Sequence, residues 1–144
     1  MGRVLVFILI ALMAAALVGC DGAQNVLKDP RDGKKYKTVQ IGSQTWMAEN
    51  LNYEIADSYC YNNDTSNCKK YGRLYTRDAA LKACPAGWHL PSMDEFKVLI
   101  ETVGGEKIAG EILKSKSGWN DGGNGSDAFG FSALPAGVWF DGGI

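Results

Sequence analysis

The sequence predicts an α+β fold, with two or three short helices packed on an antiparallel, hairpin-rich sheet. Three observations carry this expectation. Lys37–Ile41 and Gln44–Ala48 alternate in polarity on either side of Gly42-Ser43, as half-buried strands joined by a tight turn do. Ser92–Val103 carries a capping signal followed by apolar residues at helical spacing. Residues 118–143 hold eight glycines, too many for a helix and suited to loops between short strands. The order is hairpin, helices, strands, without regular βαβ alternation.

The chain of 144 residues opens with Arg3 and an unbroken apolar run of 15 residues, Val4–Val18. Spanning a bilayer takes about 20 residues, so the run suits an export signal better than an anchor. It ends in Leu17-Val18-Gly19-Cys20 and turns polar at Asp21-Gly22. This ending resembles a bacterial lipobox, in which small side chains flank the cut and the Cys20 thiol receives diacylglycerol. The other reading is an ordinary secretory signal with a chance cysteine. One acyl chain anchors weakly, so lasting attachment takes two or three. The expected division is a signal peptide at 1–19, a polar tether at 20–28 and one domain at 29–144. The expected location is the bacterial cell envelope, with the membrane reached through the lipid at the outer membrane or cell surface.

Within the domain, Asp29-Pro30-Arg31-Asp32-Gly33 is a turn cluster. The hairpin follows, with Val39 and Ile41 on one face and Trp46 and Ala48 together on the return strand. Tyr53–Lys70 reads as irregular. Thr76–Ala83 reads as a short helix: Thr76 caps it, Ala79, Ala80 and Ala83 favour it, and Pro85 stops it. In Ser92–Val103, Ser92 and Glu95 form a capping box, while Phe96, Leu99, Ile100 and Val103 share one face. Gly104-Gly105 ends that helix. Ile108–Lys114 is a third short helix, with Ile108, Ile112 and Ala109 expected inward. Phe129–Leu134 and Gly137–Phe140 are the expected strands of the tail.

Charge and composition narrow the function. The net charge is −1, and losing Arg3 with the signal makes it −2. That excludes a strongly basic nucleic-acid binder, which depends on clustered cations. A single histidine, His89, excludes most histidine-rich metal enzymes. No partner for a catalytic base is evident in the sequence, so His89 reads as structural, bonded to backbone or to a carboxylate. No phosphate-binding loop, CxxC pair or nucleophile elbow is present. Setting Cys20 aside leaves three cysteines. Cys60 and Cys68 bracket Tyr61–Asn67, whose only apolar side chain is Tyr61. Such a loop cannot pack itself into place, and a bridge closing it would contribute about 2.5 kcal/mol through loop entropy. Cys84 is then unpaired, which in an exported protein suggests an intermolecular bond or a missing partner.

Two further candidate sites lie in the glycine-rich tail. Asp121, Asn124 and Asp127 place oxygens every third residue on a flexible loop, a candidate calcium site because hard cations take six to eight oxygens. The spacing does not match an EF-hand, and a solvated turn is the plainer reading. Trp119 and Trp139 are flanked by glycine-rich loops and are candidates for stacking on a sugar ring. Core packing is the plainer reading even for these two, and Trp46 and Trp88 read as core. The Lys34-Lys35 pair and Lys114-Ser115-Lys116-Ser117 read as solvated charge.

Five separated strings occur in a shared order: Asp29–Tyr36, Ile41–Tyr53, Tyr71–Tyr75, Cys84–Ser92 and Gly130–Gly137. Together they resemble the Fibrobacter succinogenes major paralogous domain of bacterial surface and secreted proteins. The resemblance covers about residue 29 to the end. It implies a C-type lectin-like fold, shared with sulfatase-modifying enzymes and phage receptor-binding proteins, of two helices wrapped by a hairpin-rich sheet. Such members continue beyond Phe140–Gly143 into closing strands that include a cysteine. The resemblance therefore implies that the partner of Cys84 and the closing strands lie beyond Ile144. The lipobox, the disulfide loop, the lectin-like resemblance and the glycine-rich loops together point to a non-catalytic surface module whose ligand is a polysaccharide or another protein, with no nucleic acid and no cofactor besides the candidate calcium. Two alternatives stand beside it. One is a structural or vestigial envelope lipoprotein without a ligand. The other is an enzyme distantly related to the sulfatase-modifying group, whose chemistry depends on late cysteines; none follows Cys84 here.

Overall fold

The computed structural model describes residues 25–138, and it is α+β. Strands β1 (Asn25–Lys28), β2 (Lys35–Ile41) and β3 (Gln44–Met47) form one antiparallel sheet in that spatial order. The β2–β3 turn is tight because Gly42 adopts a φ of 60°, the left-handed region that two-residue hairpins require. Its register pairs Ile41 with Gln44 and Val39 with Trp46. β1 runs from Asn25 opposite Thr38 to Lys28 opposite Lys35. Residues 25–28, expected as the end of the tether, are thus an edge strand. Leu27 alone among them packs on the core while adjacent Val26 is exposed, and two neighbouring apolar residues are too little pattern to announce a strand.

The core centres on Trp46, which is fully buried. Its ring meets Phe96 at 5.4 Å between centroids and Phe131 edge-on at 5.8 Å, arrangements that suit the aromatic quadrupole. Ile41, Leu51, Tyr75, Leu99 and Val103 surround it. The capped amphipathic helix appears as α3 (Met93–Thr102). Its capping box is complete: Ser92 Oγ accepts from the Glu95 amide, and Glu95 accepts from the Ser92 amide. Leu99 and Val103 are buried, with Phe96 and Ile100 partly so. α2 (Arg77–Ala83) is capped by Thr76 as its sequence suggests.

Three expectations are corrected. Tyr53–Lys70 is not irregular throughout. It holds β4 (Ser58–Tyr59), a short 3-10 turn (Tyr61–Asn63) and most of helix α1 (Thr65–Tyr71), and β4 pairs with β5 (Leu74–Tyr75). α1 lacks an apolar stripe, so periodicity could not reveal it. It forms because Asp64 accepts the Ser66 amide at 2.8 Å, Lys69 and Lys70 occupy the last turn where the dipole favours cations, and a disulfide pins Cys68. That disulfide joins Cys60 to Cys68, with Cα atoms 5.0 Å apart.

The second correction concerns α4 (Glu106–Leu113). Ala109 is buried and Ile112 partly buried, but Ile108 is 43% exposed. The helix lies with Ala109 and Leu113 toward the core, which rotates Ile108 outward over Gly104. The third concerns the tail. Phe129–Leu134 forms no strand, only a single bridge between Lys114 and Ala133. Of the other expected strand, Gly137 and Val138 are not strand, and the rest lies outside the described residues. The tail instead donates to the end of α4: Ser126 N to Glu111 O, Ala128 N to Ile112 O, and Ala133 N to Leu113 O. Those carbonyls have no partner inside a helix, so the tail caps α4 in place of building a sheet.

Candidate functional site

Two backbone segments meet beside the disulfide. The loop after β3 runs past Asn50 and Asn52, and α1 ends at Gly72. Asn50 Nδ2 donates to Tyr71 O at 2.8 Å, and Arg73 N donates to Leu51 O at 2.9 Å. Only glycine fits at 72. Its φ is 76°, and a Cβ there would lie 2.6 Å from Asn50 Cβ and 2.8 Å from Asn50 O. The floor is Tyr36, whose hydroxyl accepts the Asn52 amide at 3.2 Å. Burial pushes that phenol up to about 12.

Above this floor opens a cleft of about 260 Å³. Lys34 enters from the β1–β2 connection, Lys35 from the first position of β2, and Lys69 and Lys70 from the last turn of α1. Among the described residues Glu49 is the only acidic one on the wall, so the described lining carries a formal +3 in a chain whose net charge is −1. Lys34 is held by Asn52 O at 2.5 Å and by Asp32 at 2.9 Å. Among the described residues, no carboxylate lies within ion-pair distance of Lys35, Lys69 or Lys70. Glu49 accepts the Lys37 amide at 2.7 Å, and Lys70 Nζ sits 4.6 Å from the Tyr71 ring centroid. Sequence reasoning missed this cleft. The two Lys-Lys pairs were its visible signal, but 33 residues lie between them, and only the fold brings them to one opening.

The other candidates are placed as follows. Cys20 and Trp139 lie outside the described residues, and no helix among those residues is long and apolar enough to cross a membrane. Trp119 is half-buried, with Nε1 donating to Ser115 Oγ and to Ala133 O, both at 3.1 Å. Lys114 Nζ lies 4.7 Å over its ring. With Phe96, Ile100, Leu113 and Phe131, Trp119 lines an apolar groove of about 450 Å³. In the glycine-rich loop, Asn124 Oδ1 accepts the Trp119 amide at 3.0 Å. Asp127 accepts the Ser132 amide at 2.7 Å and its hydroxyl at 2.6 Å. Asn124 and Asp127 thus hold the loop itself. Asp121 takes a φ of 52°, and among the described residues no three His, Cys, Asp or Glu side chains cluster as metal ligands.

His89 bonds to Glu95 Oε1 at 2.7 Å. Burial alone would raise the Glu95 carboxyl, but hydrogen bonds from the Ser92 amide, His89 and the Ser92 hydroxyl outweigh it and hold it below the usual range. The histidine therefore buttresses the α3 cap. Cys84 has no disulfide partner among the described residues. Burial pushes its thiol up to about 11, which keeps it unreactive near neutrality.

No curated protein and no solved structure matches this chain. The family model of the Fibrobacter succinogenes major domain matches residues 39–144, a span that begins within β2 and holds four of the five strings set out above. By that match, which covers most of its length, the chain belongs to the Fibrobacter succinogenes major domain family.

Proposed function

We propose that this protein is a bacterial cell-envelope lipoprotein, anchored through acyl chains on Cys20, whose domain is a non-catalytic module binding a polysaccharide. The C-type lectin-like architecture belongs to the same proposal. The cleft beside the disulfide is the observation that carries it. Its wall combines amide, carboxylate, phenol and ammonium groups on a rigid floor, the mixture that hydroxyl-rich ligands need for orientation. His89 and Glu95, the side chains best suited to proton transfer, are spent on the α3 cap, which favours binding over turnover. The apolar run before Cys20 supports the anchor.

Two measurements test the reading. The full-length chain, expressed in a bacterium fed labelled palmitate, is expected in the membrane pellet carrying the label, and Cys20→Ala is expected to lose the label. Solubilised in detergent, the chain is expected to be retained on at least one member of a panel of neutral and acidic polysaccharides. Retention on none would overturn the binding module, and a wild-type chain that takes up no label from labelled palmitate would overturn the lipid anchor.

A further inference from the structure

We infer that the cleft between the β1–β2 connection and the end of α1 binds an acidic polysaccharide, its anionic groups paired with Lys35, Lys69 and Lys70. The inference rests on the polysaccharide-binding reading above and names the chemical class of the ligand.

Charge comes first. The lining is formally +3 although the whole chain is negative. Random placement of lysines on an acidic protein would scatter them among carboxylates. Here three ammonium groups share one opening with no carboxylate in ion-pair range among the described residues. Concentrated like charge repels itself and raises the energy of the free protein, and an arriving anion relieves that repulsion.

Shape and hydrogen bonding then choose among anions. The lysines ring a recess of about 260 Å³, small for a folded partner and shaped for a sugar unit. A flat lipid surface would touch the lysine tips and leave the recess empty. A bare inorganic anion would meet Glu49 and gain nothing from it. A sugar carrying both hydroxyl and anionic groups uses the entire wall: hydroxyls donate to Glu49 and to the amide oxygens of Asn50 and Asn52, and anionic groups face the lysines. The floor does not need to rearrange, because Gly72, Asn50 and Tyr36 already lock it, so little ordering cost opposes binding.

The test uses the full-length chain in detergent and affinity electrophoresis through gels containing polygalacturonate, dextran sulfate or neutral dextran. Retardation is expected in at least one acidic gel and not in neutral dextran. It should weaken by roughly tenfold between 20 mM and 500 mM salt, as screening shortens the reach of the lysines. The triple variant Lys35→Gln/Lys69→Gln/Lys70→Gln is expected to weaken retardation by roughly tenfold at low salt. The charge-matched variant Lys82→Gln/Lys107→Gln/Lys116→Gln, at exposed lysines away from the cleft, is expected to leave it within about twofold. Thermal melts of both variants confirm folding. A preference between the two acidic gels identifies carboxylate or sulfate as the anionic group. Equal losses in the two triple variants would overturn the inference, as would retention by neutral dextran alone, which leaves the wider binding reading standing. Capture by phosphatidylglycerol vesicles without retardation in either acidic gel would also overturn it. Retention by no polysaccharide would overturn both readings.

Discussion

Asp29 shows how much a single side chain can do beyond what its neighbourhood in sequence suggests. It is fully buried, and its carboxylate accepts three hydrogen bonds from Arg31: the amide at 3.0 Å, Nε at 2.9 Å and Nη2 at 2.6 Å. Arg31, so oriented, stacks 3.7 Å over the Tyr53 ring and donates to Ala83 O and Cys84 O at the end of α2. The Asp-Pro-Arg-Asp-Gly turn therefore fastens the start of the domain to a helix 52 residues away. Read locally it is only a turn. Removing the carboxylate leaves the guanidinium without its orienting partner inside the fold. Asp29→Ala is expected to destabilise the protein by about 3 kcal/mol in urea denaturation, whereas alanine at exposed Asp94 should shift it by less than about 0.5 kcal/mol. Similar losses in both would show that the Asp29 clamp contributes no more than a surface pair.

Elements bear out the same distinction between pattern and contact. α3 and α2 were legible because their caps and apolar positions are local: Ser92 with Glu95, Thr76 with Ala79. α1 was not, because it has a capping aspartate but no apolar stripe, and the glycine that seats it against the Asn50 loop acts through a contact far along the chain. Two glycines separate these effects. Gly72 has a left-handed φ of 76° and no room for a Cβ, while Gly110 sits inside α4 with nothing within 4 Å of a built Cβ. Gly72→Ala is therefore expected to lose about 2–4 kcal/mol, from backbone strain and collision with Asn50. Gly110→Ala is expected to gain about 0.5–1 kcal/mol from helix propensity. Chemical denaturation of the two variants checks both signs. A neutral Gly72→Ala would mean that α1 and the Asn50 loop can part without cost, and the cleft floor would not be rigid.

At the scale of the whole molecule, buried and hydrogen-bonded titratable groups set a pH range for stability. The Arg31 hydrogen bond holds the Asp29 carboxyl below its ordinary value, and the Glu95 cap does the same for its own. The unfolded chain, with ordinary carboxylates near pH 4, takes up protons first on acidification. The stabilisation from these groups is thus present above about pH 5 and lost as pH falls further. On the other flank, burial raises Cys84 to about 11 and Tyr36 to about 12. The unfolded thiol, with a pKa of about 8.5, ionises first, so stability is full below that and declines as pH climbs toward 11. The melting temperature is expected to be flat between about pH 5 and 8 and to fall on both sides. Cys84→Ala should flatten the fall between about pH 9 and 11 without changing the acid side. An unaltered alkaline slope in that variant would mean the thiol is not the group responsible.

What this sequence determines by itself is whatever depends on neighbours along the chain. The β2–β3 hairpin, the Ser92/Glu95 capping box, the Thr76 cap, the disulfide across Tyr61–Asn67 and the α+β class all follow from spacing within about ten residues. The family strings were legible too, because they are strings. Tertiary structure alone decided the rest. It turned the glycine-rich tail into a cap for α4, since unpaired helix carbonyls compete with strand pairing for the same amides. It rotated Ile108 to solvent, and it paired Asn25–Lys28 with β2. It also gathered Lys34, Lys35, Lys69 and Lys70 around one opening. Charges far apart in sequence acquire a common field only when folding shortens the distance between them, and no local pattern encodes that distance.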